Sequence, residues 1–295
     1  MPMLAARLHE IGGTPLVDEC DPPSQPGAIE ISAAGLNPVD ISIGAGRFYG
    51  GRPETPYVIG SEAVGRTAAG ARVWLRGRGL MAELVSAPEW SFDVPDGVSD
   101  ELALACGIAG LTAWLAISWR APVGRDDTVL VLGASGTLGA TALQGAKLLG
   151  ARRVIGAARR TEAIPDCADA VFDLSSGDDL PASTLIIDGL WGEPFERALA
   201  AAADGVRVVQ LGQSAAPAAT ILSAWVRGKT ATILGHSLSA VPAEVAERAF
   251  GELCRHAGAG RIGFEIESYP LADVARAWER QASGSPGAKV VVELS

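Results

Sequence analysis

The chain has 295 residues, a hydrophobic fraction of 48% and a formal net charge of −10 at pH 7. This length allows two domains, and the hydrophobic fraction excludes a disordered chain. The negative charge argues against nucleic acid or an anionic membrane as a partner, and we find no apolar run as long as a membrane span. The four cysteines lie far apart, which favours free thiols in a reducing cytosol and a cytoplasmic protein. They are Cys20, Cys106, Cys167 and Cys254.

Residues 1–100 carry many glycines and prolines between short runs of β-forming residues. This pattern predicts a small, irregular β-barrel rather than alternating strands and helices. The predicted strands are residues 28–32, 58–59, 71–75 and 82–86. Near the end of this domain, Ser99 can cap a helix whose first residues, Asp100 and Glu101, complement the helix dipole.

A strand, a glycine turn and a helix follow one another in the middle of the chain. Residues 128–132 form a continuous apolar run, residues 140–150 show helical spacing, and residues 154–158 form a second apolar run. A pyrophosphate must approach backbone amides at a helix N-terminus, and side chains there would block it. The segment therefore predicts the opening βαβ unit of a dinucleotide-binding domain. The turn, spaced GxxGxxG, contains Gly133, Ala134, Ser135, Gly136, Thr137, Leu138 and Gly139.

The end of the second strand reads Ala158-Arg159-Arg160. A site that prefers NAD usually carries a carboxylate here, but the first acid is Glu162. Two guanidinium groups suit a 2′-phosphate, so the sequence favours NADPH as the cofactor. The alternative is that both arginines lie on a solvated surface turn.

The alternation of strands and helices continues through a trimmed domain that we place at residues 101–240. Its further strands are predicted at residues 170–173, 185–189, 206–212 and 230–235, with a helix at residues 193–200. The segment between residues 174 and 184 is too short and polar for a full crossover helix. Ligands bind at the carboxyl ends of such strands, which adds cofactor-binding candidates. These are Gly189, Gly212, Gln213 and His236.

Residues 241–295 return to the composition of the N-terminal part. A long amphipathic helix is predicted at residues 243–256, a second helix at residues 271–282 and a strand at residues 288–293. We expect this segment to pack against the N-terminal barrel and to complete it.

Several local signatures agree in type and order with one family. They are residues 34–40 with Asn37-Pro-Val-Asp40, residues 57–65 with Gly60-Ser61-Glu62, residues 110–114, the glycine turn, and residues 288–292. Along essentially its whole length the chain resembles the zinc-independent quinone oxidoreductase branch of the medium-chain dehydrogenases/reductases. The resemblance implies an α/β protein, with a Rossmann doubly wound parallel sheet and a GroES-like catalytic β-barrel split between the chain ends. It also implies NADPH-dependent reduction and a homodimer joined near residues 231–235.

Zinc enzymes of this superfamily carry Gly-His-Glu where this chain has Gly60-Ser61-Glu62, and a cysteine close to the position of Val39. Cys106 lies near another ligand position, but one thiol without its histidine does not make a three-ligand site. We therefore expect no metal and interpret Cys106 as a small core residue.

Without zinc, hydrogen-bond donors must hold the oxygen of the acceptor while hydride arrives. The resemblance implies Asn37 and Tyr49 in this role, with Arg47 and Ser61 in the same barrel segments, and Thr112 near the nicotinamide. Tyr49 as a surface residue and solvent as the proton source stay open. Asp40 is interpreted as an acid that ties down its loop by hydrogen bonds.

The resulting hypothesis is an NADPH-dependent reductase of a small-molecule substrate, either a quinone or another conjugated carbonyl compound. One alternative is an enoyl-thioester reductase of fatty-acid or polyketide type. Another is a cofactor-binding protein with little turnover, because a fold alone does not prove catalysis.

Overall fold

The computed structural model describes residues 2–24, 27–88, 90–284 and 286–294. The chain forms two compact units. The first unit contains Met1–Ile108, Phe250–Ala259 and Phe264–Ser295, and the second contains Ala109–Ala249 and Gly260–Gly263.

Strands dominate the two ends of the chain, and strands alternate with helices in its middle. The strands are β1 (Met3–Leu8), β2 (Leu16–Cys20), β3 (Ile29–Leu36), β4 (Tyr57–Val58), β5 (Glu62–Arg66), β6 (Arg72–Arg76), β7 (Leu84–Val85), β8 (Trp90–Asp93), β9 (Thr128–Leu132), β10 (Arg153–Ala158), β11 (Ala170–Asp173), β12 (Leu185–Asp188), β13 (Arg207–Gln210), β14 (Thr232–Gly235), β15 (Ile266–Pro270) and β16 (Lys289–Glu293). The α-helices are α1 (Pro38–Gly44), α2 (Asp100–Ala105), α3 (Leu111–Leu115), α4 (Thr137–Leu148), α5 (Gly192–Ala201), α6 (Ser223–Gly228), α7 (Ala243–Gly258) and α8 (Val274–Ala282).

The first unit is built from largely antiparallel sheets. One sheet has the order β2-β1-β4, and a larger one has the order β15-β16-β3-β5-β6-β8, with β7 also paired to β3. Strand β16 lies antiparallel to β3, with Val290 opposite Leu36 and Val292 opposite Ala34. The last strand of the chain is therefore an inner strand of a sheet that the N-terminal residues begin.

The second unit contains a six-stranded parallel sheet in the order β11-β10-β9-β12-β13-β14. Every residue of β9 is buried, as its apolar sequence predicts for a central strand covered on both faces. The strand order reverses between β9 and β12, so the carboxyl ends of these two strands flank the point where ligands bind in Rossmann sheets. This unit confirms the predicted Rossmann sheet.

Several elements differ from the sequence prediction. Helix α1 was not predicted; its first turn is closed by Asn37 and Asp40, whose groups bond reciprocally in a capping box. Helix α4 begins at Thr137, inside the predicted turn, because Gly136 already has the extended backbone of an N-cap residue. No helix lies within residues 174–184, as the short polar sequence predicted.

The helical stretch Asp100–Arg120 corrects the expectation that no apolar run is as long as a membrane span. Its 21 residues are long enough and apolar enough to cross a membrane, judged by length and composition alone. Of the most apolar 18 residues in this stretch, 67% are buried inside the protein, and this burial accounts for their apolar character. The stretch is kinked at Gly107, whose ψ of −134° is not helical.

Candidate active site

The glycine turn of the second unit connects β9 to α4. Gly133 has a φ of 81°, a left-handed conformation that favours glycine, and its N–H donates to the carbonyl of Ala157 at 2.8 Å. Helix α4 has Gly136 at its N-cap and no side-chain hydrogen bond at that cap. Because glycine has no side chain, Gly136 cannot accept hydrogen bonds from the first amides of α4. The helix dipole favours an anion at this end of the helix.

The same turn has the close backbone packing that a diphosphate-binding turn requires. A Cβ on Gly139 would lie 2.2 Å from the carbonyl oxygen of Gly133, so helix α4 meets the turn at a distance that only glycine permits. A Cβ on Gly156 of the neighbouring strand would lie 2.7 Å from Ile164 and 3.1 Å from Ala134. The residues present thus fit the pyrophosphate of a dinucleotide. Of the other predicted turn residues, Ala134 and Ser135 are buried, while Thr137 and Leu138 are half-buried.

The arginine pair follows the carboxyl end of β10, next to β9. Ala158 is buried, Arg159 is exposed and Arg160 is half-buried. Ala157 lies opposite Leu132, the last residue of β9, so the pair and the glycine turn emerge from neighbouring strands at the same edge of the sheet. A guanidinium in this place fits the adenosine end of a dinucleotide that lies on the turn.

Four other predicted cofactor residues follow strands at the same edge of the sheet. Gly189 and Gly212 approach closely, since a Cβ on Gly212 would lie 2.9 Å from the carbonyl oxygen of Gly189. Gln213 is exposed beside them. His236 follows β14 and donates its backbone N–H to the carbonyl of Gln210 at 3.0 Å. Burial and the nearby Arg120 lower the pKa of His236 to about 4, so its ring is neutral near pH 7. Thr112 lies on α3, half-buried.

Asp188 is a residue of this edge that was not selected from the sequence. It is the last residue of β12 and has no exposed surface. Its Oδ1 accepts the N–H groups of Leu190 at 2.9 Å and Trp191 at 3.0 Å, whereas Oδ2 has no hydrogen-bond partner within the described residues. Burial raises the pKa of Asp188 to about 6, and those two N–H groups lower it in part.

The turn after Asp188 has a strained backbone. Trp191 has φ 59° and ψ −171°, a region that L-residues rarely adopt, and its ring stacks on Phe195 with 4.4 Å between centroids. The side chain of Leu190 lies against Gly133, where a Cβ would be 3.1 Å away. Asp188 thus holds a strained turn that packs on the glycine turn.

A buried polar network forms the second cluster of candidate residues, in the first unit. Glu62 and Lys289 form an ion pair, with 0% and 2% exposed side chains. Glu62 also accepts hydrogen bonds from Asn37 Nδ2 (2.7 Å), Trp74 Nε1 (2.9 Å) and the N–H of Ile108 (2.7 Å). Lys289 Nζ in turn donates to Asn37 Oδ1 at 2.9 Å. Both polar ends of Asn37 are therefore engaged within this network.

A small pocket lies beside the network, with about 50 Å³ of free space. Its polar side chains are Asp40, Tyr57, Ser61 and Arg78; Phe48, Ile43 and Pro53 are among its apolar ones. Burial, followed by the charge of Asp40, raises the pKa of Tyr57 to about 12, so this hydroxyl keeps its proton and can donate a hydrogen bond. Tyr57 was not selected from the sequence, although it stands in the quoted 57–65 motif.

Tyr49, the predicted donor, is placed differently from Tyr57. Its side chain is 85% exposed and its ring packs on Phe48, with 4.5 Å between centroids. Arg47 is also exposed. Of the predicted barrel residues, the structure brings Asn37 and Ser61 together with Asp40, and it leaves Tyr49 and Arg47 at the surface.

A Rossmann sheet combined with a GroES-like barrel defines the fold of a medium-chain dehydrogenase/reductase. A family model described as zinc-binding dehydrogenase matches residues 149–292. A quinone oxidoreductase from Homo sapiens is 31% identical over 153 residues, 45% of this chain and 46% of that protein. A component of the phenolphthiocerol/phthiocerol polyketide synthase of Mycobacterium tuberculosis is 26% identical over 322 residues, 98% of this chain but 14% of that protein. The chain thus spans half or less of the length of the curated relatives it matches.

Solved structures cover the whole chain. A mycobacterial quinone oxidoreductase matches with a TM-score of 0.86 and 27% identity, covering 99% of this chain and 100% of that one. The quinone oxidoreductase of Thermus thermophilus, studied also in complex with NADPH, matches with a TM-score of 0.83 and 26% identity at the same coverage. The chain is thus similar in sequence and fold to quinone oxidoreductases of the medium-chain dehydrogenase/reductase type, which confirms the resemblance and the fold predicted from the sequence.

Proposed function

We propose that the protein is an NADPH-dependent oxidoreductase that reduces quinones or other conjugated carbonyl compounds. The observation that carries this proposal is the glycine turn at the carboxyl end of β9, which meets helix α4 at glycine-only distance and has an arginine pair at the end of the next strand. Bound NADPH supplies a hydride to the acceptor. The mycobacterial and Thermus thermophilus neighbours, the latter studied with NADPH, support this assignment.

The roles of the cofactor residues follow from their places in the sheet. The turn from Gly133 to Gly139 would hold the pyrophosphate through backbone amides. Arg159 and Arg160 would bind the 2′-phosphate, and Ala158 lies buried beneath them. Thr112 and the residues at the ends of the later strands would border the nicotinamide half; they are Gly189, Gly212, Gln213 and His236.

The pocket of the first unit is the proposed place of the acceptor carbonyl. Its hydroxyl groups, on Ser61 and Tyr57, are donors of the kind that polarise a carbonyl oxygen. Asn37 would support the acceptor site indirectly. Its amide nitrogen is bonded to Glu62 and its amide oxygen to Lys289. Tyr49 is kept as a proposed donor to the acceptor oxygen; its ring is 85% exposed and packs on Phe48, which lines the pocket.

We propose a zinc-independent reaction, because the side chains that stand where zinc enzymes carry their ligands do not fit a metal. Ser61 has a hydroxyl where the zinc enzymes have an imidazole, and the oxygens of Glu62 bind Lys289, Asn37, Trp74 and Ile108. Burial raises the pKa of Cys106 well above its usual value, and a hydrogen bond with Cys254 raises it further. Cys106 is therefore a protonated thiol rather than a thiolate ligand.

The enoyl-thioester reductase alternative has one observation in its favour. The Mycobacterium tuberculosis polyketide synthase component aligns with 98% of this chain. We therefore keep an enoyl-thioester reductase of polyketide type as the second proposed function. The chemistry is the same at the reacting carbons, because an enoyl thioester is a conjugated carbonyl compound.

The remaining proposals concern partners and location. We expect a small-molecule substrate, no nucleic acid or membrane as a partner, and a cytoplasmic protein. We also expect a homodimer, since β14 stands at one end of the parallel sheet and an edge strand can pair with its copy. Sedimentation equilibrium would measure the mass of the assembly.

The decisive experiment measures NADPH and NADH oxidation with a panel of quinones, enones and enoyl thioesters. Replacing Arg159 and Arg160 by alanine should raise the KM for NADPH about ten- to hundredfold, because charge-assisted hydrogen bonds to a phosphate are lost, and leave the KM for NADH nearly unchanged. Arg153→Ala, at the opposite end of the same strand, is the matched control. No oxidation with any acceptor would favour the cofactor-binding protein, and a preference for NADH would contradict the arginine assignment.

A further inference from the structure

The pocket of the first unit contains a carboxyl group and a hydroxyl group that are bonded to each other. Ser61 Oγ donates a hydrogen bond to Asp40 Oδ1 at 2.6 Å, and both residues line the pocket. Asp40 is 3% exposed, whereas Ser61 is half-buried. The hydroxyl is thus the more accessible member of the pair, and the acid lies behind it.

The position of the acid is fixed by its helix. Asp40 Oδ2 accepts the backbone N–H of Asn37 at 2.8 Å in the capping box of α1, which leaves Oδ1 for Ser61. The capping box alone needs one oxygen of Asp40 and no contact with Ser61. The second hydrogen bond, to a residue 21 positions further along the chain in the pocket wall, has no part in starting the helix.

The charged and titratable groups around Asp40 come from four other places in the fold. They are Lys289 on β16, Glu62 on β5, Tyr57 on β4 and Arg78 after β6. Burial raises the pKa of Asp40 to about 6, while the hydrogen bonds from Ser61 and Asn37 and the charge of Lys289 lower it and the charge of Glu62 raises it. Asp40 is therefore mostly ionised at pH 7, but about one-tenth of it is still in the acid form, and the two forms are equally populated near pH 6.

We propose that Ser61 is the proton donor to the reduced acceptor and that Asp40 resupplies its proton. This inference rests on the proposed function and names the proton source of that same pocket. Bound NADPH would supply the hydride for the new C–H bond at the conjugated carbon. The O–H bond of Ser61 breaks, and its proton bonds to the carbon next to the carbonyl, or to the oxygen of a quinone. The proton of Asp40 moves to Ser61 Oγ. Asp40 is left as a carboxylate and takes a proton from solvent before the next cycle.

The arrangement allows this transfer without movement of the backbone. A serine hydroxyl can accept one hydrogen bond while it donates another. When Asp40 is protonated, its Oδ1–H donates to Ser61 Oγ, and the hydroxyl hydrogen of Ser61 is free to point into the pocket. Serine alone is too weak an acid to protonate a carbanion efficiently, so the coupled carboxyl group is needed.

The test uses the full chain with Ser61→Ala, Asp40→Asn and, as a control, Ser42→Ala on the same helix. With an enone as the acceptor, kcat should fall about 10²- to 10⁴-fold in the first two variants, the range typical of a lost general acid, while the Kd for NADPH stays within about twofold. Asp40→Asn keeps an oxygen for the N–H of Asn37 and should therefore keep the fold. Ser61→Thr, which retains a hydroxyl, should recover part of the rate.

Two further readouts separate proton transfer from a merely structural role. The wild-type rate should fall as pH rises through about 6, because the acid form of Asp40 is consumed, and this dependence should be absent in Asp40→Asn. In the protein without cofactor, carbon-13 NMR of labelled aspartate should show a higher pKa for Asp40 in Ser61→Ala than in the wild type or in Ser42→Ala, because the hydrogen bond to the ionised form is lost.

The outcomes distinguish this inference from the proposed function. An active wild type with Ser61→Ala and Asp40→Asn variants that keep its rate within threefold overturns the proton relay alone, as does an unchanged Asp40 titration in Ser61→Ala. If the wild type fails to oxidise NADPH with every acceptor of the panel, the proposed function and the relay are both overturned.

Discussion

Asp188 shows how a single side chain can reduce stability near neutral pH. Its carboxyl group is fully buried, and one oxygen has no partner within the described residues. The charged form is therefore poorly solvated, which raises its folded-state pKa from 3.8 to about 6. The folded protein binds this proton more tightly than the unfolded chain does. Stability from this group is thus present in full below pH 4 and is lost as pH rises to 6.

We predict that Asp188→Asn removes this pH dependence. The amide oxygen can still accept the N–H groups of Leu190 and Trp191, and the side chain cannot ionise. Between pH 4 and pH 7 the free energy of unfolding of the wild type should fall by up to about 3 kcal/mol relative to the variant. Urea denaturation at both pH values measures this difference.

Asp188→Ala is the contrasting variant. It removes the acceptor of both N–H groups and should destabilise the protein at every pH, by about 1–3 kcal/mol for each N–H left unpaired. A parallel pH dependence of wild type and Asp188→Asn would show that the carboxyl group is not destabilised by burial.

At the scale of one element, the joint between β9 and α4 depends on the absence of a side chain. A Cβ on Gly139 would lie 2.2 Å from the backbone oxygen of Gly133, and a backbone atom cannot rotate out of the way. We predict that Gly139→Ala pushes α4 from the turn, weakens NADPH binding about tenfold or more and costs about 1–3 kcal/mol of stability by overpacking.

The control for this substitution is Gly228→Ala. Gly228 ends α6, and a Cβ there has nothing within 4 Å. Isothermal titration with NADPH and thermal unfolding should therefore give values close to those of the wild type. Equal effects of the two substitutions would show that the joint tolerates a methyl group.

The elements of the Rossmann sheet could be predicted because each signal is local. A central parallel strand is apolar throughout, as in residues 128–132, and the glycine turn follows it directly in the sequence. Helix α1 was missed because its seven residues are too few to show a period and its start depends on the reciprocal bonds of Asn37 and Asp40. The glycine turn could likewise be predicted because its signal is local in the sequence.

The pocket of the first unit was less predictable because its pairs are distant in sequence. Ser61 was selected for the motif it stands in, yet its bond to Asp40 depends on how β5 passes helix α1. Tyr49 and Tyr57 are both tyrosines near the same motif, and only the folded chain shows that Tyr57 lines the pocket. The strain at Trp191 has no sequence signal, since tryptophan does not favour a positive φ.

At the scale of the whole chain, one ion pair joins residues that are 227 positions apart. Glu62 on β5 and Lys289 on β16 are both buried, and the pair also holds Asn37, Trp74 and the N–H of Ile108. A Cβ on Gly107 would lie 2.0 Å from Glu62 Oε2 and one on Gly35 2.8 Å from Lys289 Nζ, so the backbone closes around both charges. The C-terminal strand is thereby fixed to the N-terminal sheet.

We predict that Lys289→Met destabilises the protein by about 3–5 kcal/mol, because it leaves the carboxylate of Glu62 buried without its counter-charge. The double variant Glu62→Gln/Lys289→Met has no buried charge and should recover part of this loss. Lys147→Met removes the exposed partner of Asp169 instead and should cost less than about 1 kcal/mol. Denaturant unfolding of the three variants measures these values. A double variant less stable than Lys289→Met would mean that the hydrogen bonds of ionised Glu62, rather than its pairing with Lys289, hold the two ends of the chain together.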